Sequence, residues 1–265
     1  MRPSTTRVKT LAGWGGAVLC WIGVWQLAYW WIDQDLLLAS PGDTFLRLAQ
    51  LLAQGETWGI LFGSFCKISA GFLLGMGVGV LLGILTAFFA PARRLVQLPM
   101  AIIQAAPVAS FVILALVWIR GTNLSVFIAF LMVMPMIWTS VHQGILSADP
   151  LLLEAAHAYR LSRWTVARVL YLPAVLPYLL SACRVAMGFA WKAGIAGEVI
   201  AIPQGAIGTQ LYDAKVRLET VDLFAWTAIV VILSVVIEKL LTRGLERLAR
   251  RGSRERRKTG DPVRP

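Results

Sequence analysis

The sequence has little of what a soluble enzyme needs. Charged residues make up only 15% of its 265 positions, and just two are histidines, His142 and His157. Hydrophobic residues make up 58%, against about 45–50% in soluble domains. A globule so composed would lack polar surface to present to water. The three cysteines, Cys20, Cys66 and Cys183, all fall in apolar segments at no metal-ligand spacing. They read as small buried hydrophobes, with no disulfide framework or metal centre implied. No G-x-x-x-x-G-K-[ST] stretch is present, so the chain cannot cradle ATP phosphates by itself. Nor does it contain a G-x-S-x-G, H-E-x-x-H or Cys/His zinc pattern. We assign it no catalytic residue, metal or cofactor.

What it has is apolar length. Mean hydropathy is +0.70, and six runs approach or exceed the roughly 20 residues that cross a bilayer. They lie at Leu11–Ile32, Ile68–Ala90, Val96–Trp118, Leu124–Leu146, Tyr171–Trp191 and Leu223–Leu241. The expected architecture is an all-α membrane protein of six transmembrane helices. Pro99, Pro107 and Pro135 interrupt the third and fourth runs. The first run is too long for a signal peptide and lacks a small-residue cleavage site.

The net charge of +11 is unevenly placed, with nine of the 25 Lys and Arg at Arg243 and beyond. This reads as a solvated cytoplasmic tail near anionic lipid rather than a nucleic-acid footprint. With the N-terminus inside, inner segments hold seventeen Lys and Arg; outer ones hold four, Arg47, Arg120, Lys215 and Arg217. The positive-inside rule then makes both termini cytoplasmic. The expected division is a cytoplasmic N-terminus over 1–10, a membrane domain over 11–245 and a basic tail over 246–265, expected to be disordered.

Two segments read as helical or looped without spanning. Ser40-Pro41-Gly42-Asp43 supplies an N-cap, a proline at the first helical position and an early acid. An apolar stripe from Phe45 to Leu52 follows, predicting a short outer helix. Ile202 to Gly208 predicts an outer loop. In the second span, Gly71, Gly75, Gly79 and Gly83 keep a four-residue spacing. In lipid such a ridge lets another helix approach closely, within one chain or at a dimer axis.

The polar stretch LLLEAAHAYRLSRWTVARVLYLP, from Leu151 to Pro173, interrupts the apolar runs. Asp149 and Pro150 start a helix. Ala155, Ala156 and Ala158 keep it narrow enough for a partner's groove. Arg160-Leu161-Ser162 breaks it, and a second short helix leads into the fifth span. The result is a cytoplasmic docking element joined to two membrane helices.

This stretch resembles the EAA loop of ABC importer permeases, E-A-A, three residues, G, nine residues, I, one residue, L-P. Here Glu154-Ala155-Ala156, Arg160, Leu170 and Leu172-Pro173 keep every spacing. Arg160 replaces the turn glycine. A non-glycine residue at positive φ costs about 1 kcal/mol, so either the turn differs or the cost is tolerated. Ser40-Pro41, Pro99 through Trp118, Met134-Pro135 through Gly144, and Tyr178 through Glu198 extend the resemblance. They are similar to the nitrate/sulfonate/taurine-type permeases over Ser40 to Leu245. The resemblance implies a type I ABC importer permease fold in a bacterial plasma membrane. It also implies ABC ATPase subunits below, a solute-binding protein outside and a paired permease, here expected as a homodimer. Coupling to the ATPase would fall on Glu154, Ala155, Ala156, Tyr159, Arg160, Leu172 and Pro173. The substrate class implied is a sulfonate, nitrate or taurine-like anion, or a heterocyclic vitamin precursor.

Charges in or near spans are costly and mark either structural pairs or a pathway. Candidates for the pathway are His142, Arg184, Trp191, Lys192 and Glu198, with a Lys192–Glu198 pair as the structural reading. A membrane-integral enzyme using His142, Asp149 or Glu198 is the other function class, and a channel or export permease a third.

Overall fold

The computed structural model describes residues 5–259, and all its regular elements are helices. In order they are α1 (Thr5–Ile32), α2 (Pro41–Ala53), α3 (Gly55–Phe88), α4 (Ala90–Ala105), α5 (Val108–Ala115) and α6 (Gly121–Leu146). Then come α7 (Pro150–Ala158), α8 (Arg163–Val166), a π-helical turn (Ala167–Tyr171), α9 (Leu172–Ala201), α10 (Ile207–Val216) and α11 (Thr220–Thr259). Four stretches are long and apolar enough to cross a bilayer, Gly55–Phe88, Gly121–Leu146, Arg163–Ala201 and Thr220–Gly244. The α4–α5 pair makes a bent fifth, and α1 carries a further apolar segment at Gly16–Ile32. α11 runs through Thr259, into the tail expected to be disordered. Residues 1–4 and 260–265 of the expected termini lie outside the described residues.

The third expected span is not one rod. The chain bends by 104° between α4 and α5, around Ala106 and Pro107. Ala106 is held extended, at φ −80° and ψ 142°, as the residue before a proline prefers. Pro99 and Pro135, by contrast, sit inside α4 and α6.

α3, α6 and α9 form the centre. The glycine ridge of α3 lies against α6 of the same chain. A Cβ on Gly75 would stand 2.8 Å from Val133 Cβ and 2.9 Å from Phe130 O. On Gly79 it would meet Met134 O at 2.8 Å, and on Gly83 Val141 Cβ at 2.7 Å. On Gly71 it would collide with Val126 O. Only hydrogen fits where two helix backbones come this close.

The periphery is attached at fewer points. Trp191 of α9 donates from Nε1 to Val230 O of α11 at 3.3 Å, and its ring is buried. Arg47 of α2 grips Asp222 of α11 through Nε (2.6 Å) and Nη2 (2.8 Å). That bond pushes the guanidinium pKa further up, so Arg47 stays charged at any working pH. α1 is fixed at one end, where Trp25 donates to Ala39 O at 3.0 Å and stacks on Phe224.

Cys183 is buried as expected, but Cys20 and Cys66 are exposed. They sit on outward faces among residues such as Leu19 and Phe65. In a membrane protein an apolar outward face needs no burial by protein, because lipid covers it.

Candidate coupling loop and translocation path

Asp149 accepts from Leu151 N at 2.9 Å and opens α7, with Pro150 at its first position. α7 closes with a Schellman motif. Leu161 N bonds to Ala156 O and Arg160 N to His157 O, each at 3.0 Å. Arg160 takes the left-handed position, at φ +52°. The glycine-type turn therefore exists without the glycine, and an arginine carries its strain. Ser162 then accepts from Thr165 N at 3.1 Å and caps α8. Pro173 has no amide hydrogen, and just before it the chain widens into the π-helical turn at Ala167–Tyr171. From Arg163 the second half of the loop is thus continuous with α9.

Glu154, Ala155, Tyr159, Arg160 and Leu172 are exposed, Pro173 is half-buried, and Ala156 is buried at 4% exposure. Ala156 therefore packs against its own chain, whereas Ala155 is open. Leu151, Leu152 and Trp164 are also exposed, Trp164 at 76%. Sequence reasoning did not single out Trp164, which lies outside the E-A-A and L-P positions of the motif.

α9 has two faces. Ala182, Cys183, Ala186, Met187, Ala190, Trp191, Gly194 and Glu198 are buried. Tyr178, Ser181, Arg184, Val185, Phe189, Lys192 and Ala196 are exposed, and at 100° per residue they fall on a single arc. Beside this arc lies a cavity of about 400 Å³, lined by Gln104, Met136, Thr139, Ser140, Tyr178, Ser181, Ala182 and Val185. Sequence reasoning missed its hydroxyls and amide. The repeat of Tyr178, Ser181, Val185 and Lys192 at three, four and seven residues is the signal that could have found them.

The other intramembrane polar residues lie elsewhere. His142 is buried on α6, with Nδ1 3.1 Å from Thr86 Oγ1, which also accepts from Trp138 Nε1 at 2.9 Å. Its Nε2 has no partner. Glu198 is fully buried and makes no ion pair with exposed Lys192; its Oε2 accepts from Ser64 Oγ (2.9 Å) and Gly208 N (3.2 Å). A spacing of six turns the two side chains about 120° apart around α9, one onto the exposed arc and the other into the core. His142, Asp149 and Glu198 thus have separate surroundings and do not converge on one site.

The profile of the family described as "Binding-protein-dependent transport system inner membrane component" matches residues 79–253. The chain belongs to this family. It is a membrane-spanning permease subunit of an ABC importer, a transport subunit rather than an enzyme. Membership implies an inner-membrane location and work with an ATPase and a solute-binding protein. The chain is 27% identical over 228 residues to a probable ABC transporter permease protein of Brucella melitensis biotype 1, covering 86% of this chain and 92% of the relative. It is 24% identical to the taurine transport system permease protein of Escherichia coli K12, covering 83% and 84%. Among solved structures, the MetNI methionine ABC transporter in inward-facing conformations matches with a TM-score of 0.57 and 22% identity. That match covers 77% of this permease and 97% of the compared chain. It supports the type I importer fold.

Proposed function

We propose that two copies of this permease pair across the open arc of α9 and pass a small anion between them. The observation that carries this is the arc itself, where Arg184 and Lys192 stand exposed in a helix whose other charged residue, Glu198, is buried. An exposed cation facing lipid is expensive, whereas one facing a water-filled path is not. The two lie about 12 Å apart along the helix at 1.5 Å per residue, so an anion descending the arc meets a positive charge at two levels. The cavity with Gln104, Thr139, Ser140 and Ser181 offers neutral donors beside them. Relatives named for taurine, aliphatic sulfonates and bicarbonate support an anionic cargo. On this reading Glu154, Ala155, Tyr159, Arg160 and Trp164 dock on the ATPase, and the face bearing α2 and α10 receives the binding protein. His142, Trp191 and Glu198 support the path from behind rather than line it.

The test is Lys192→Gln and Arg184→Gln, separately, in vesicles with the ATPase and binding protein. Each variant should keep ATPase association and lose at least about tenfold in anion uptake, the loss expected when about 1.4 kcal/mol of ionic stabilisation disappears. Uptake at the wild-type rate in both would sink the anion path. Failure of the wild-type chain to co-purify an ATPase would sink the docking assignment instead.

A further inference from the structure

α9 joins two faces of the molecule. It starts at the coupling loop and runs 30 residues without a break to Ala201, a rod of about 45 Å. At its far end the chain turns through Ile202 (φ +48°) and Gly205 (φ +67°) before α10 begins. A joint with two left-handed residues would by itself let α10 swing independently of α9.

Glu198 removes that freedom. Its Oε2 accepts from Ser64 Oγ of α3 and from Gly208 N of α10, while Ser64 Oγ accepts from Ile207 N at 3.1 Å. Ile207 and Gly208 are the first two residues of α10. Their amides have no partner within the helix, and an acidic group is favoured at that end. Gly208 is needed because a Cβ there would collide with Glu198 Cβ and Val199 N. Ser125 of α6 faces the same carboxyl. Glu198 Oε1 and Ser125 Oγ are buried without a partner, so the carboxyl is held on one side and keeps capacity on the other. Such bonds are strong in a dry interior and costly to leave unmade. α10 packs in turn on α11, which holds α2 through Arg47 and Asp222. The face opposite the coupling loop is thereby tied to α9 at Glu198, beside the direct bond from Trp191 of α9 to Val230 of α11.

We propose that the Ser64–Glu198–Gly208 cluster is a latch that makes α10 and its neighbours move with α9, so that Glu198 is a positioning residue linking the opposite face to the coupling loop. This rests on the loop docking an ATPase, as proposed above. A residue that merely filled space would not transmit; the latch predicts that transmission and local protection fail together.

Amide hydrogen exchange on the full chain in lipid nanodiscs decides the matter. In Glu198→Ala, exchange in peptides spanning 202–217 should rise about tenfold or more, the effect of leaving the buried Ser64 hydroxyl and Gly208 amide without their acceptor. Peptides over Gly71–Gly83 and 129–141 should stay at wild-type protection. Glu198→Gln, which keeps an acceptor oxygen of the same reach, should recover most of the protection. Ser64→Ala, a milder change, should act in the same direction as Glu198→Ala. With the co-purifying ATPase present, a non-hydrolysed ATP analogue should alter exchange at 202–217 in the wild type and Glu198→Gln but not in Glu198→Ala. Unchanged exchange at 202–217 in both Glu198→Ala and Ser64→Ala overturns the latch. An equal nucleotide response in wild type and Glu198→Ala overturns the transmission. If no ATPase co-purifies with the wild type, the docking reading fails, and the first measurement still decides the latch.

Discussion

At the residue scale, the glycines of α3 separate into those that must be glycine and those that need not be. Gly75 faces Phe130 O and Val133 Cβ at distances that real Cβ atoms do not reach, whereas Gly77 meets nothing within 4 Å. Gly75→Ala forces α3 and α6 apart, and overpacking of this kind costs about 1–3 kcal/mol. Gly77→Ala adds a methyl group to open surface and removes backbone freedom from the unfolded chain, which is neutral or stabilising by up to about 1 kcal/mol. Thermal melting in detergent should therefore show a clear drop for Gly75→Ala and none for Gly77→Ala. Equal midpoints would contradict the close packing of α3 on α6. The spacing of the four glycines was legible in the sequence. Their partner was not, because a small-residue ridge does not say which helix it meets.

At the element scale, α7 shows how a motif can mislead about its own faces. Ala155 and Ala156 are neighbours in the sequence and equal in the motif. On a helix, consecutive residues point 100° apart, and here only Ala155 is open while Ala156 is buried in its own chain. Ala155→Trp should leave the permease folded and reduce ATPase co-purification several-fold through a blocked groove. Ala156→Trp should lower folded yield first, because a ring has no room there; large overpacking in a core costs about 1–3 kcal/mol or more. Size-exclusion yield and pull-down of the ATPase, read side by side, separate the two. Normal pull-down by Ala155→Trp would remove α7 from the docking surface. The turn that ends α7 was left open by the sequence, since Arg160 fits either a new geometry or a strained old one. Only the backbone decided it.

At the scale of the whole molecule, the orientation proposed from charge bias assigns an environment to every loop. In a background with Cys20, Cys66 and Cys183 replaced by serine, single cysteines at Gln54 and Arg217 should react with an impermeant maleimide on intact cells. Both are exposed, at the ends of α2 and α10 respectively. A cysteine at Ser162, exposed beside α7, should react only after the membrane is opened. Removing Cys20 and Cys66 matters because both are exposed and would otherwise add background. Labelling of Ser162→Cys in intact cells would invert the topology and detach the loop from any cytoplasmic ATPase.

The sequence by itself determined the class, the helical segments and the loop. Apolar length leaves few ways to satisfy a backbone in lipid, so runs such as Leu124–Leu146 and Tyr171–Trp191 had to be helices. Caps such as Ser40 and Asp149 act within a few residues, so their starts could be read locally. Facing and distance were decided only by the tertiary structure. The chain bends at Ala106–Pro107, whereas Pro99 and Pro135 sit inside α4 and α6, so proline alone does not dictate a break. Glu198 looked like Lys192, one more charge near a span. Its partners Ser64 and Gly208 lie 134 and 10 residues away, and nothing local pairs them. Lys192 remained exposed and Glu198 became buried because helical rotation turned one toward the open arc and the other into the core.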